Sequence, residues 1–130
     1  MNNACPIGDP ASGRATILVV EDEILARMML TEELRGNGFN VAEAKNANEA
    51  LSIVHSGVVV NVALINLDTP GPQDSTRLAA TIRAEYPAVK VLVAAGQSAQ
   101  SELRETVDGF FAKPYDIPKL VAVIKSLLNQ

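Results

Sequence analysis

At 130 residues the chain is long enough to bury a real core and of a length that points to one domain. Its composition is that of an ordinary globular protein, with 48% apolar and 20% charged residues, and its 11 Lys and Arg against 15 Asp and Glu give a net charge of −4. No stretch is a basic run, which argues against the clustered positive charge that nucleic-acid binding needs, and none approaches the ~18 consecutive apolar residues of a membrane span.

Residues 1–15, MNNACPIGDPASGRA, have neither the charged start nor the apolar centre of a secretory signal. Rich in Pro, Gly, Ser and Asn, they are expected to form a disordered leader, with the folded domain over 16–130. The single cysteine, Cys5, sits in that leader and has no internal disulfide partner, which fits a reducing compartment and a cytoplasmic location.

Beyond the leader two kinds of segment alternate. TILVV (Thr16 to Val20) is a β-branched, wholly apolar run, the pattern of a strand buried on both faces. EILARMMLTEELRGNG follows, rich in helix formers and closed by a Gly-Asn-Gly stop. Met28 and Met29 in it are expected to be ordinary packing residues of this helix. FNVAEA reads as a second, more amphipathic strand. Asn46, three residues before Glu49, is close to a capping box and opens the helix ANEALSIVHS. VVVNVALI is a third strand, STRLAATIRAEY a helix stopping before Pro87, and VKVLVAA a fourth strand. A short helix is expected around Ser98 to Val107 and a brief fifth strand at GFFA. The last helix begins near Asp116 and repeats apolar residues at Ile117, Leu120, Val121, Ile124, Leu127 and Leu128 on one face.

Five β-then-α units at this spacing demand right-handed crossovers and a doubly wound parallel sheet with helices on both faces, a three-layer α/β architecture. Ligands of such sheets sit at the carboxyl ends of the strands. The first strand ends in Glu21, Asp22 and Glu23. Acids crowded after a buried strand are costly without a neutralising cation, and Mg²⁺, a hard ion with oxygen ligands, would suit Glu21 and Asp22. Glu23 reads instead as a helix-start acid suited to the dipole. The fifth strand ends in AKP, where Lys113 can reach over the same crevice. His55, late in the second helix and remote from that edge, reads as a surface residue or a C-terminal dipole partner.

ILVVEDE after the first strand, a Pro-Gly loop after the third, and GFFAKP before the last helix together resemble the receiver domain of two-component response regulators over Thr16 to Gln130. The resemblance implies a flavodoxin-like (βα)5 sheet in the order 2-1-3-4-5. It also implies an aspartate ending strand three that takes a phosphoryl group from a phosphohistidine with the help of Mg²⁺. A Ser or Thr ending strand four, the lysine ending strand five and a rearranging aromatic complete the family's switch.

Matched by position, Glu21 and Asp22 correspond to the acid pair, Lys113 to the lysine and Phe110 to the switch aromatic. The phosphoacceptor position, four residues before the loop proline Pro70, falls on Asn66. The hydroxyl position falls on Ala95, and Gln73-Asp74 replaces the usual acidic-then-Gly pair. The amide of Asn66 is nearly the shape of a carboxylate but a poor nucleophile. It also removes a negative charge from the pocket, so Mg²⁺ should bind there weakly or not at all. By the resemblance, Asp68 offers a metal its backbone carbonyl, and its side chain points elsewhere. A phosphorylatable receiver that uses Asp68 instead is the first alternative.

The expected function is therefore that of a stand-alone receiver-like signalling protein, not an enzyme, with no effector domain after its last helix. Its expected partners are a sensor histidine kinase, an output protein, or a second copy through the short fourth helix, the fifth strand and the last helix. An alternative of another class, a flavodoxin-type cofactor-binding enzyme, would need a Ser/Thr/Gly-rich phosphate loop after strand one. Glu21-Asp22-Glu23 stands there instead and would repel a phosphate.

Overall fold

The computed structural model describes residues 14–66, 72–95, 107–112 and 116–129, apart from the side chains of 72–75 and 112. Residues 1–13 of the expected 1–15 leader, with Cys5, and the short helix expected around Ser98 to Val107 lie outside the described residues, apart from Val107 itself. Ala15 is described, and its carbonyl accepts the Asn40 N–H at 2.9 Å.

Five strands form one parallel sheet: β1 (Thr16–Val20), β2 (Asn40–Ala44), β3 (Val62–Asn66), β4 (Lys90–Ala95) and β5 (Gly109–Ala112). Their order is β2-β1-β3-β4-β5, the doubly wound order expected of the fold. The described helices are α1 (Ile24–Gly36), α2 (Ala47–His55), α3 (Pro72–Glu85) and α4 (Ile117–Leu128).

Strand alternation divides the core into two layers. Ile17 and Val19 of β1, Val62 and Leu64 of β3 and Leu92 of β4 pack with Leu30 and Leu34 of α1 and with Leu120, Val121 and Ile124 of α4. Leu18, Val20, Ala63, Ile65, Val91 and Val93 face the other way, against Ala50 and Val54 of α2 and Leu78 and Ile82 of α3. Every residue of β1 and β3 is buried, which is why both read as unbroken apolar runs and not as alternating ones.

Polar side chains set the ends of these elements. The side chain of Asn46 caps α2 by accepting the Glu49 N–H at 2.8 Å, and Glu49 reaches back to the N–H of Lys45 at 2.9 Å, one residue before the cap. α1 closes at Gly36, with Asn37 at its C-cap and Gly38 at φ +92° just beyond, a left-handed conformation for which glycine is suited. At the opposite edge of the sheet from the strand exits, Asn61 Oδ1 accepts the Thr16 N–H at 2.8 Å, and Asp108 Oδ2 accepts the Val91 N–H and the Arg83 guanidinium, each at 2.8 Å.

Three expectations change. The third strand begins at Val62, because Asn61 turns its backbone and side chain to Thr16, and Val59 before it is half exposed. The third helix starts at Pro72, a proline placed where its fixed φ suits a first helical residue, so Gln73 and Asp74 belong to its first turn and not to a loop. Met28 and Met29 do not pack in the core: they are 48% and 62% exposed, beside Ile24 at 63% and Leu25 at 66%. The inward face of α1 is taken by Leu30, Thr31 and Leu34, one helical side away from them.

β5 lies close against its neighbour. Gly109 pairs with the fully buried Leu92, and a Cβ at Gly109 would stand 2.5 Å from Leu92 Cδ2. Gly109→Ala is expected to lower the unfolding free energy by about 1–3 kcal/mol through overpacking, read by urea titration. An unchanged midpoint would contradict that close packing.

Candidate functional site

The carboxyl edge is built by register. β1 and β3 pair in parallel with Val20 opposite Ile65, so the next residues along, Glu21 and Asn66, leave the sheet side by side. Alternation from Ile17 and Val19, and from Val62 and Leu64, turns both toward the α1–α4 layer. Both are buried, Glu21 at 4% exposure and Asn66 at 5%.

They meet in a hydrogen bond. Asn66 Nδ2 donates to Glu21 Oε1 at 2.6 Å. The amide's orientation follows from chemistry, since the reverse placement would set the amide oxygen against a carboxylate oxygen at the same distance. The second carboxylate oxygen, Oε2, accepts the backbone N–H of Glu23 at 3.0 Å. A buried carboxylate is tolerated only when it is hydrogen-bonded, and here both oxygens have donors.

Arg27 completes the arrangement. One turn into α1, its Nη1 donates to the backbone carbonyl of Glu21 at 2.8 Å, while its Nε lies 3.2 Å from Glu43 Oε1 on β2. The guanidinium therefore bridges the exit of β1 and the edge strand, and holds a positive charge against an acidic segment. Sequence reasoning passes over Arg27. The signal is available in principle, as an arginine six residues after a buried acid, but its bond to Glu21 depends on how α1 is docked.

The other anticipated residues are placed differently. Asp22 is exposed beside Glu21. Glu23 is the N-cap of α1 and accepts the Ala26 N–H at 3.2 Å, the helix-start role read from the sequence. Ala95 ends β4, buried, one residue beyond the Ala94 that pairs with Asn66. By alternation from Val91 and Val93 it faces the α2–α3 layer, and Phe110, opposite Val93 in register, packs half-buried against that same layer. Glu21 and Asn66 thus share one face of the sheet, and Ala95 and Phe110 the other. Lys113 and Asp68 lie outside the described residues. His55 ends α2, exposed, 3.4 Å from Glu85 Oε1 and tilted against Tyr86, and takes no part in this edge.

The divalent cation implied by the fold does not fit what is described here. Among the described residues no group of three His, Cys, Asp or Glu is placed to hold a metal ion. Glu21 directs one oxygen at the Asn66 amide nitrogen and the other at a backbone N–H, both donors that would face a cation with the wrong sign.

Comparison with known proteins agrees with the fold. Residues 17–125 match the response regulator receiver domain, and the chain belongs to that family. It is 30% identical over 124 residues to the sensor kinase CckA of Brucella abortus, an alignment covering 92% of this chain and 13% of the kinase. It is 28% identical over 122 residues to the response regulator MprA of Mycolicibacterium vanbaalenii, covering 88% of this chain and 50% of that protein. The chain thus spans half or less of the length of these curated relatives. Among solved structures it superposes with a TM-score of 0.77 on the response regulator TrrA of Thermotoga maritima in complex with Mg²⁺ and BeF, at 27% identity over 87% of this chain and 98% of that one. A CheY-like receiver domain of Methanospirillum hungatei gives 0.80 at 24% identity, over 89% and 94% of the two chains, a likeness of fold. The chain is a receiver domain of two-component signalling, a family whose members work with histidine kinases and output domains. Among the described residues no helix is long and apolar enough to cross a membrane.

Proposed function

We propose that this receiver domain acts by protein–protein interaction, without accepting a phosphoryl group. One observation carries the reading: the side chain at the end of β3 is an amide, and its nitrogen is spent on Glu21 at 2.6 Å. Phosphoryl transfer to a receiver needs an anionic oxygen as nucleophile, and an amide offers none. Ala95, a methyl at the end of β4, adds no hydroxyl to hold a phosphoryl oxygen.

An exposed apolar patch supports a binding role and indicates where a partner would sit. Ile24, Leu25, Met28 and Met29, spaced i, i+1, i+4 and i+5, form one outward side of the first turns of α1 at 48–66% exposure. Exposed Asp22, Glu23, Glu32 and Glu33 rim it. Contiguous apolar surface with a polar rim is characteristic of interaction sites, and methionine adapts to varied partners. The exposed side of α4, with Pro118, Lys119, Ala122, Lys125 and Ser126, offers much less apolar area. The favoured partner surface is therefore α1, in place of the last helix and fifth strand to which the family resemblance points. A sensor kinase or an output protein is the class of partner, and a homodimer through β5 and α4 is the competing arrangement.

Incubation with acetyl phosphate and Mg²⁺ is expected to leave the intact mass unchanged. A stoichiometric phosphoryl adduct would overturn the proposal, and its disappearance in Asp68→Ala would assign the adduct to Asp68. The double substitution Leu25→Glu with Met29→Glu is expected to leave the thermal midpoint within about 2 °C of wild type, since both residues are exposed, and to abolish co-purification with the partner kinase or output protein. Binding that survives this change would move the interface to β5 and α4.

A further inference from the structure

The buried carboxylate at the exit of β1 must have its oxygens satisfied, a matter separate from phosphorylation. Glu21 lies in the α1–α4 layer at 4% exposure, where an unpaired carboxylate is strongly disfavoured. We infer that the Asn66 amide is the resident counter-group of this pocket, a built-in replacement for a divalent cation that makes the fold independent of metal. Three donors from three parts of the chain converge on this residue. Asn66 Nδ2 reaches Oε1 at 2.6 Å, the Glu23 N–H reaches Oε2 at 3.0 Å, and Arg27 Nη1 reaches the main-chain carbonyl at 2.8 Å. The first two approach the carboxylate itself, and the third, from a guanidinium also paired with Glu43, holds the backbone of the same residue.

Asn66→Asp, which installs a reactive carboxylate at the end of β3, does not simply restore a receiver pocket. It replaces a hydrogen-bond donor with an acceptor and sets two carboxylates against each other at hydrogen-bond distance inside the protein, where like charges strongly disfavour joint ionisation. Such a pair needs a proton or a cation between its members. With Mg²⁺ present the cation takes that place, so the variant gains stability from the metal that the wild type does not.

A second substitution separates this effect from a general loss of stability. In the double variant Glu21→Gln with Asn66→Asp the two groups exchange chemistry at constant size. The new amide nitrogen at position 21 then donates to the new carboxylate at position 66, and the amide oxygen at position 21 still accepts the Glu23 N–H. The bond is rebuilt with its polarity reversed, and the pair again consists of one carboxyl and one amide.

Thermal unfolding of the full chain, in EDTA and in about 10 mM MgCl2, reads all three proteins. The wild-type midpoint is expected to move by less than about 1 °C between the two buffers, because there is no linked binding to stabilise the native state. Asn66→Asp is expected to melt at least about 5 °C below wild type in EDTA and to recover most of that difference with Mg²⁺. The exchanged double variant is expected to melt within about 2 °C of wild type in EDTA and to ignore Mg²⁺. A wild-type midpoint that rises by several degrees with Mg²⁺ would overturn the inference, as would a double variant no more stable in EDTA than Asn66→Asp. These outcomes are independent of acetyl phosphate labelling, so the phosphate-independent function and the internal counter-group can fail separately.

Discussion

The amide nitrogen of Asn66 lies 2.6 Å from a carboxylate oxygen of Glu21, inside the protein and between the ends of two adjacent parallel strands. Much of the carboxyl edge is organised by that contact. It gives a buried acid a hydrogen-bond donor, it uses the polar group that β3 presents there, and it ties the exits of β1 and β3 together. Charge-assisted hydrogen bonds of this length are among the stronger polar contacts in proteins, and their cost falls on whatever leaves one partner buried and alone. The Arg27 guanidinium on the Glu21 carbonyl then fixes the start of α1 against the same edge. In the reading proposed above, side chains of the chain itself fill the role that a cation would otherwise take.

The two apolar layers make such a site possible. β1 and β3 are buried on both faces, so their ends emerge at defined positions and their register decides which polar groups become neighbours. The pleat separates the edge into two sets. Glu21 and Asn66 face the α1–α4 layer, while Ala95 and Phe110 face the α2–α3 layer. Communication between the two sets in a phosphorylated receiver needs groups that span the sheet end. With a methyl at Ala95, the described side chains provide no hydroxyl from β4 for that task.

Most of the architecture is legible in the sequence because its signals are local. Wholly apolar five-residue runs mark β1 and β3, the Gly-Asn-Gly stop marks the end of α1, and the apolar repeat from Ile117 to Leu128 marks α4. The identity of the residue at each strand end is legible too, including the amide at 66. What local pattern does not hold is pairing between distant segments. That Glu21 stands beside Asn66 follows from the Val20–Ile65 register, and that Arg27 reaches the Glu21 carbonyl follows from how α1 is docked. Met28 and Met29 show the same limit from the other side. Their apolar character predicts burial, but Leu30, Thr31 and Leu34 already occupy the inward side of the helix, and the methionines are left facing water. The third helix reads from the sequence as beginning at Ser75, although the proline at 72 is well suited to opening a helix, as it does here.

The central claim is that the Asn66 amide, and not a metal ion, satisfies Glu21. The side-chain amide protons of Asn66, observed by ¹⁵N-resolved NMR in the wild-type chain, report on it directly. A buried amide hydrogen-bonded to a carboxylate should give a downfield-shifted proton that exchanges slowly with water. This resonance is expected to keep its position and its exchange rate when MgCl2 is added. A resonance that shifts with Mg²⁺ and begins to exchange freely would mean that the cation displaces the amide, and would contradict the claim.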